Sequence, residues 1–217
     1  MAIKPILFKT EMVRAILDGR KTCTRRILKG AIPFDGKAEY WNVLKKGEWS
    51  GPICVEYFMK QGSPYKPGDI LYVRETWCLR FDGEKYFYKA DKNTSREEKH
   101  LLDYDDVRWH PSIHMPEEAA RIWLKVMDVR VERLKDMTNN DALKEGAEGV
   151  RCDHAGSGAY GCTDCMNTGW LEPPLLEFMG IWNSTIKKSD LDRYGWNANP
   201  YVFAIEFERC EKPKGEN

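Results

Sequence analysis

Residues 3–28, IKPILFKTEMVRAILDGRKTCTRRIL, carry two kinds of periodicity in one short run. Ile3-Lys-Pro-Ile-Leu-Phe8 reads as a strand leading into Thr10, a good helix N-cap, after which Met12, Val13, Ile16 and Leu17 fall on one helical face. Gly19 ends that helix, because a residue without a Cβ enters the left-handed C-cap conformation at no steric cost. Thr22 to Leu28 then alternates with β-branched residues, so the segment predicts strand, helix, strand.

Further along, the turn Lys66-Pro-Gly-Asp69 introduces a strand signal over Ile70–Trp77, with Leu71, Val73, Glu75 and Trp77 in one phase. A carboxylate among three large apolar neighbours must be paired, and the sequence leaves an arginine partner and a ligand contact both open for Glu75. Ile53–Phe58 and Tyr86–Tyr88 suggest shorter strands, and 91–106 reads as a solvated charged loop or frayed helix. The longest strand signal runs from Arg121 to Leu134, and its phase slips near Met127-Asp128 as at a β-bulge. Thr138-Asn-Asn-Asp141 starts a short helix with a capping box, using Asp where Glu or Gln is usual, and Gly146 stops it after Glu145. Pro200–Phe207 closes the pattern as an alternating strand with Tyr201, Phe203, Ile205 and Phe207 toward the core. Several strands, two short helices and no βαβ rhythm predict an α+β chain built on a small β-barrel with peripheral helices. A single domain over 1–210 and a disordered tail over 211–217 are expected.

The 34 basic and 34 acidic residues cancel, which argues against sequence-independent wrapping of nucleic acid by a chain-wide positive field. Residues 1–30 are the local exception, with eight basic residues against two acidic ones. No apolar run approaches a membrane span and no basic segment precedes an apolar one at the start, so a soluble cytoplasmic protein is expected. Seven cysteines, odd in number and unevenly spaced, fit a reducing compartment better than a disulfide framework. Cys23, Cys54, Cys78 and Cys210 read as small buried hydrophobes.

The run Leu17-Asp-Gly-Arg-Lys-Thr-Cys-Thr-Arg-Arg26 resembles the signature of the ASCH family of the PUA-like superfamily, with Gly19, Lys21, Thr24 and Arg26 at its marked positions. Pro67–Trp77, Pro111–Pro116 and Trp196–Phe203 are similar to segments of its phage and prophage members. The resemblance implies a PUA-like barrel and a nucleoside, nucleotide or RNA partner. In the bacterial N4-acetylcytidine amidohydrolases of this family, the catalytic Lys and Thr correspond to Lys21 and Thr24 here, and the catalytic Glu aligns best with Glu145. A desolvated Lys21 would act as base toward the Thr24 hydroxyl or a water, with Glu145 orienting water or protonating the leaving amine. The alternative is binding without chemistry: Arg20, Lys21, Arg25 and Arg26 hold phosphate, Trp77 stacks a base beside Glu75, and Glu145 is a solvated helix residue. Ribonuclease action, known in some bacterial members, would use the same basic groups at phosphorus.

An insertion over 151–170 stands apart. Cys152-Asp-His154 and Cys162-Thr-Asp-Cys165 offer four soft donors for a structural, tetrahedral zinc, and the following Met-Asn-Thr-Gly-Trp170 resembles the turn of J-domain zinc knuckles. A reduced thiol cluster, or a redox Cys-x-x-Cys, is the other reading.

Overall fold

A computed structural model describes residues 1–29, 31–33, 40–45, 48–49, 51–54, 57, 59, 63–79, 85–91, 108–153, 162, 164–166 and 168–213. The expectations for His154, for most of 91–106 and for residues 214–217 of the tail lie outside the described residues. In chain order the described strands are β1 Ile3–Leu7, β2 Cys23–Ile27, β3 Ala31–Pro33, β4 Tyr40–Lys45, β5 Glu48–Trp49, β6 Ile53–Cys54, β7 Ile70–Arg74, β8 Trp77–Leu79, β9 Tyr86–Tyr88, β10 Trp123–Arg133, β11 Val150–Arg151, β12 Trp170–Glu172 and β13 Tyr201–Cys210. The helices are α1 Thr10–Leu17, α2 Asn139–Lys144, α3 Pro174–Thr185 and α4 Leu191–Tyr194.

The largest sheet has the order β1-β7-β10-β13-β2 and is mixed, because β1 pairs in parallel with β7 while β10 pairs antiparallel with β7 and β13 antiparallel with β2. The chain is therefore α+β. The closed barrel expected from the sequence is not found: β1 and β2 end the sheet, and no pairing joins them among the described residues.

The chain divides into two compact units, each assembled from separated segments. The first comprises Met1–Thr22, Pro67–Met127 and Phe207–Asn217. In it, β1 and β7 align from Ile3 opposite Ile70 to Leu7 opposite Arg74, and α1 buries Val13, Ala15 and Ile16. Lys9 occupies the N-cap in place of the expected Thr10, which is the first helical residue, and Gly19 has the left-handed φ of +75° expected of it. Tyr72, Met115, Ala119 and Trp123 form an apolar cluster against which Trp77, Tyr86 and Tyr88 pack. The strand expected over Ile70–Trp77 breaks after Arg74, and Trp77 opens the β8–β9 hairpin.

The second unit comprises Cys23–Lys66 and Asp128–Glu206. Here β2 runs antiparallel to β13 from Cys23 opposite Glu206 to Ile27 opposite Val202. The core joins Leu134, Met137, Ala142 and Ala147 to Phe178 and Trp182 of α3, to Trp196 and to Val202. The strand expected over Ile53–Phe58 is described only as Ile53–Cys54. Along β10 the buried-exposed alternation stops at two consecutive exposed residues, Met127 and Asp128, where the phase slip was expected.

Cys23 and Cys78 are buried as expected, whereas Cys54 is exposed and Cys210 half-buried. Among the described residues no helix is long and apolar enough to cross a membrane.

Candidate functional site

The candidate residues are buried polar groups: Lys21, Thr24, Arg25, Glu75 and Glu145 are each at most 5% exposed. Burial of this kind is costly unless every charge is paired, so the partners define what each residue can do.

In the second unit, β2 carries Thr24 opposite Ile205 and Arg25 opposite Ala204. The Arg25 side chain is only 1% exposed and meets three carboxylates. Its Nε donates to Glu132 Oε1 at 2.7 Å, and its Nη2 lies 2.6 Å from the same oxygen. Nη1 donates to Glu145 Oε1 at 3.3 Å, and Nη2 lies 3.8 Å from Asp141 Oδ1. Glu132 is shared, since its Oε2 accepts from Arg130 Nε at 2.9 Å, and Arg130 in turn reaches Glu206 at 2.8 Å. Burial alone would lower the Arg25 pKa, but Glu145, the Cys23 sulfur and Glu132 together hold it above the ordinary arginine value. Arg26 shows the opposite balance: desolvation depresses it despite the Tyr65 phenol and Glu145.

Glu145 reaches this cluster because of how α2 begins and ends. The Thr138 side chain accepts from the Asp141 N–H, while Asp141 Oδ2 accepts from the Thr138 N–H, so the expected capping box is formed. Glu145 is the C-cap, followed by Gly146 with φ +89°, and its side chain is 5% exposed. A carboxylate at a helix C-terminus opposes the helix dipole, and the Arg25 guanidinium and the Arg26 charge offset that cost at Glu145. The solvated-helix reading of Glu145 is thereby corrected.

In the first unit, Lys21 closes the turn after α1, with its N–H donating to Ala15 O at 3.0 Å and its ammonium 5.6 Å from the Phe8 ring centroid. Arg20 is exposed and lies 3.4 Å from Asp18. Glu75 has the arginine partner that the sequence left open. Arg121 donates to both of its oxygens, at 2.9 and 3.1 Å, pairs with Asp91 at 2.6 Å, and lies 3.9 Å from the Tyr88 ring centroid. Burial raises the Glu75 carboxyl pKa, against the pull of Arg121. Trp77 is enclosed by its neighbours, stacked on His110 at 4.9 Å and edge-on to Tyr86 at 5.6 Å.

Three of the four proposed metal donors come together: the sulfurs of Cys152, Cys162 and Cys165 lie within 4.8 Å of one another. Cys152 and Cys162 are 4.0 Å apart, far beyond a disulfide and near the roughly 3.8 Å that tetrahedral geometry gives two sulfurs each about 2.3 Å from zinc. Cys152 and Cys165 are buried. The thiol cluster can hold a metal ion.

Sequence reasoning missed Glu132, Arg130 and the part Asp141 plays beside Arg25. No local pattern marks them, because Glu132 lies 107 residues from Arg25 along the chain. It also missed a cavity of about 370 Å³ in the second unit, lined by Asn183, Asp192, Trp196 and Asn197 among others. No family model, curated protein or solved structure matches the chain.

Proposed function

We propose that this chain is an ASCH-type, PUA-like protein that hydrolyses an N-acylated, uncharged nucleoside. The observation that carries this reading is the neutralisation of Arg25. The cluster around it brings four cations, Arg25, Arg26, Arg130 and Lys144, together with five carboxylates, Asp128, Glu132, Asp141, Glu145 and Glu206. Carboxylates that already engage the Arg25 guanidinium compete with a phosphate for it, whereas a nucleoside amide needs no such cation. The basic character of residues 1–30 therefore does not translate into a phosphate clamp at Arg25.

In this reading Glu145 is the group that orients water or protonates the departing amine, and Thr24 is the hydroxyl on β2 that the family resemblance marks. The resemblance assigns the base to Lys21. Water adds to the acyl carbon, the carbon–nitrogen bond breaks, and the amine leaves with a proton, giving a carboxylate and the free exocyclic amine. The three thiols hold a structural zinc, for which the sequence offers His154 as fourth donor; such an ion orders the chain around it and takes no part in the hydrolysis.

The test is chromatographic product formation from N4-acetylcytidine and related acylated nucleosides, using the wild type, Lys21→Ala and Glu145→Gln. Turnover by the wild type that disappears in both variants supports the hydrolase. Absence of turnover, together with RNA association that weakens as salt rises, returns the chain to an RNA-binding module or a ribonuclease.

A further inference from the structure

Glu145 and the thiol cluster belong to one continuous stretch, and every link between them is fixed by a contact within the second unit. After Glu145 and Gly146, the Ala147 N–H returns to Ala142 O at 3.1 Å. The Glu148 N–H donates to the Glu177 carboxylate of α3. Gly149 follows, and a Cβ there would stand 2.6 Å from Pro174 Cδ and 2.7 Å from Trp170 Cζ3, so only glycine allows these surfaces to touch. Val150 and Arg151 form β11 against β12, and the Arg151 guanidinium sits 4.5 Å from the Trp170 ring centroid. Cys152 then donates its N–H to Gly169 O at 3.1 Å.

A hairpin of one two-residue and one three-residue strand is too short to stand alone. Met166, directly after Cys165, has the left-handed φ of +47° while 82% exposed, so side-chain packing does not hold it in that strained conformation. The turn through it is closed by Thr168, whose N–H and hydroxyl donate to Cys165 O at 2.9 and 2.7 Å. A metal ion bound by the three sulfurs would tie this turn to Cys152, and so join the end of β11 to the segment that leads into β12.

We propose that the metal site is a clasp for Glu145: ion binding closes the hairpin onto Gly149, Trp170 and Pro174 and so holds the C-terminus of α2 in place. The proposal rests on the zinc and Glu145 assignments made above. Metal occupancy then controls whether Glu145 is presented to Arg25, and makes any activity that depends on Glu145 depend on an ion bound seven residues away in sequence.

The experiment is hydrogen exchange on the full-length protein loaded with zinc, before and after chelation, with zinc content measured by mass spectrometry. The amides of Glu145, Gly146 and Ala147 are bonded to Asp141, Leu143 and Ala142 carbonyls and report directly on the end of α2. Chelation is expected to accelerate their exchange by about tenfold or more, while the amides paired between β2 and β13 keep their protection. Gly149→Ala retains all three thiols. It is expected to keep one zinc per chain and still to show fast exchange at 145–147. Zinc that is bound and released without any change at 145–147 overturns the clasp and leaves the metal reading and the hydrolase standing. A chain that retains no zinc overturns the metal reading and the clasp together, and nucleoside turnover measured on the same preparation judges the hydrolase separately.

Discussion

Replacing Arg25 by Met removes the charge at the centre of the second unit's ionic cluster and keeps most of the aliphatic volume, so the change is electrostatic rather than a cavity. Glu132 retains Arg130 at 2.9 Å, but Glu145, with a side chain 5% exposed, loses the guanidinium that faces it at 3.3 Å. Removing one partner of a buried pair costs about 3–5 kcal/mol, and because Glu132 keeps Arg130 and Glu145 keeps the charge of Arg26 the lower end, about 3 kcal/mol, is expected. With a urea dependence of about 2 kcal/mol/M, the unfolding midpoint falls by about 1.5 M. Tryptophan fluorescence follows the transition, since Trp182 and Trp196 belong to the core of the same unit. Adding Glu145→Met removes the buried carboxylate that has lost its guanidinium contact, so the double variant is expected to be more stable than Arg25→Met alone. A midpoint shift below about 0.5 M, or a double variant less stable than the single, refutes the claim that Arg25 stabilises buried Glu145.

Two pH experiments separate the units. Burial raises Glu75 above its ordinary value of 4.5, so the folded state keeps its proton to higher pH than the unfolded one, and the stability of wild type relative to Glu75→Gln should fall as pH rises from 4.5; a difference that grows instead would contradict the assignment. Burial would also raise Asp141, but the Thr138 hydrogen bonds and the Arg25 and Lys144 charges outweigh it and hold the group below 3.8. The advantage of wild type over Asp141→Asn should therefore be complete above 3.8 and shrink as pH falls below it, and a flat difference in urea midpoint across that range would count against the capping role.

Local signals in the sequence were read where a local cause operates. The end of α1 at Gly19 and the capping box of α2 depend on residues within a turn of one another, and both are present. Strand β13 shows what local pattern cannot reveal. Tyr201, Phe203, Ile205 and Phe207 suggest one buried face, yet Tyr201 is half-buried while Val202 and Ala204, in the other phase, are fully buried, Val202 within the core of the second unit. Helix α3 was not anticipated, although Phe178 and Trp182 stand four residues apart and share its buried face. The barrel expectation came from counting strands and from resemblance, and strand count does not determine whether a sheet's two ends meet. Among site residues, Lys21, Thr24 and Glu145 were marked by resemblance. The pairing of Arg25 was illegible, because Glu132 and Glu145 sit 107 and 120 residues from it along the chain.

The position of β13 also sets an order of events during synthesis. It is the last of the described strands to be made, yet it occupies an interior place in the five-stranded sheet, with β10 on one side and β2 on the other. Until residues 201–210 have left the ribosome, β2 has no partner in that sheet and β10 has only β7. Between the completion of β10 at Arg133 and the arrival of β13 at Tyr201 a nascent chain thus carries two open strand edges, the situation in which pairing with another copy competes with folding. Strand β2 bears Arg25 and β13 bears Glu206, so the ionic cluster cannot be finished before the last strand has entered the sheet.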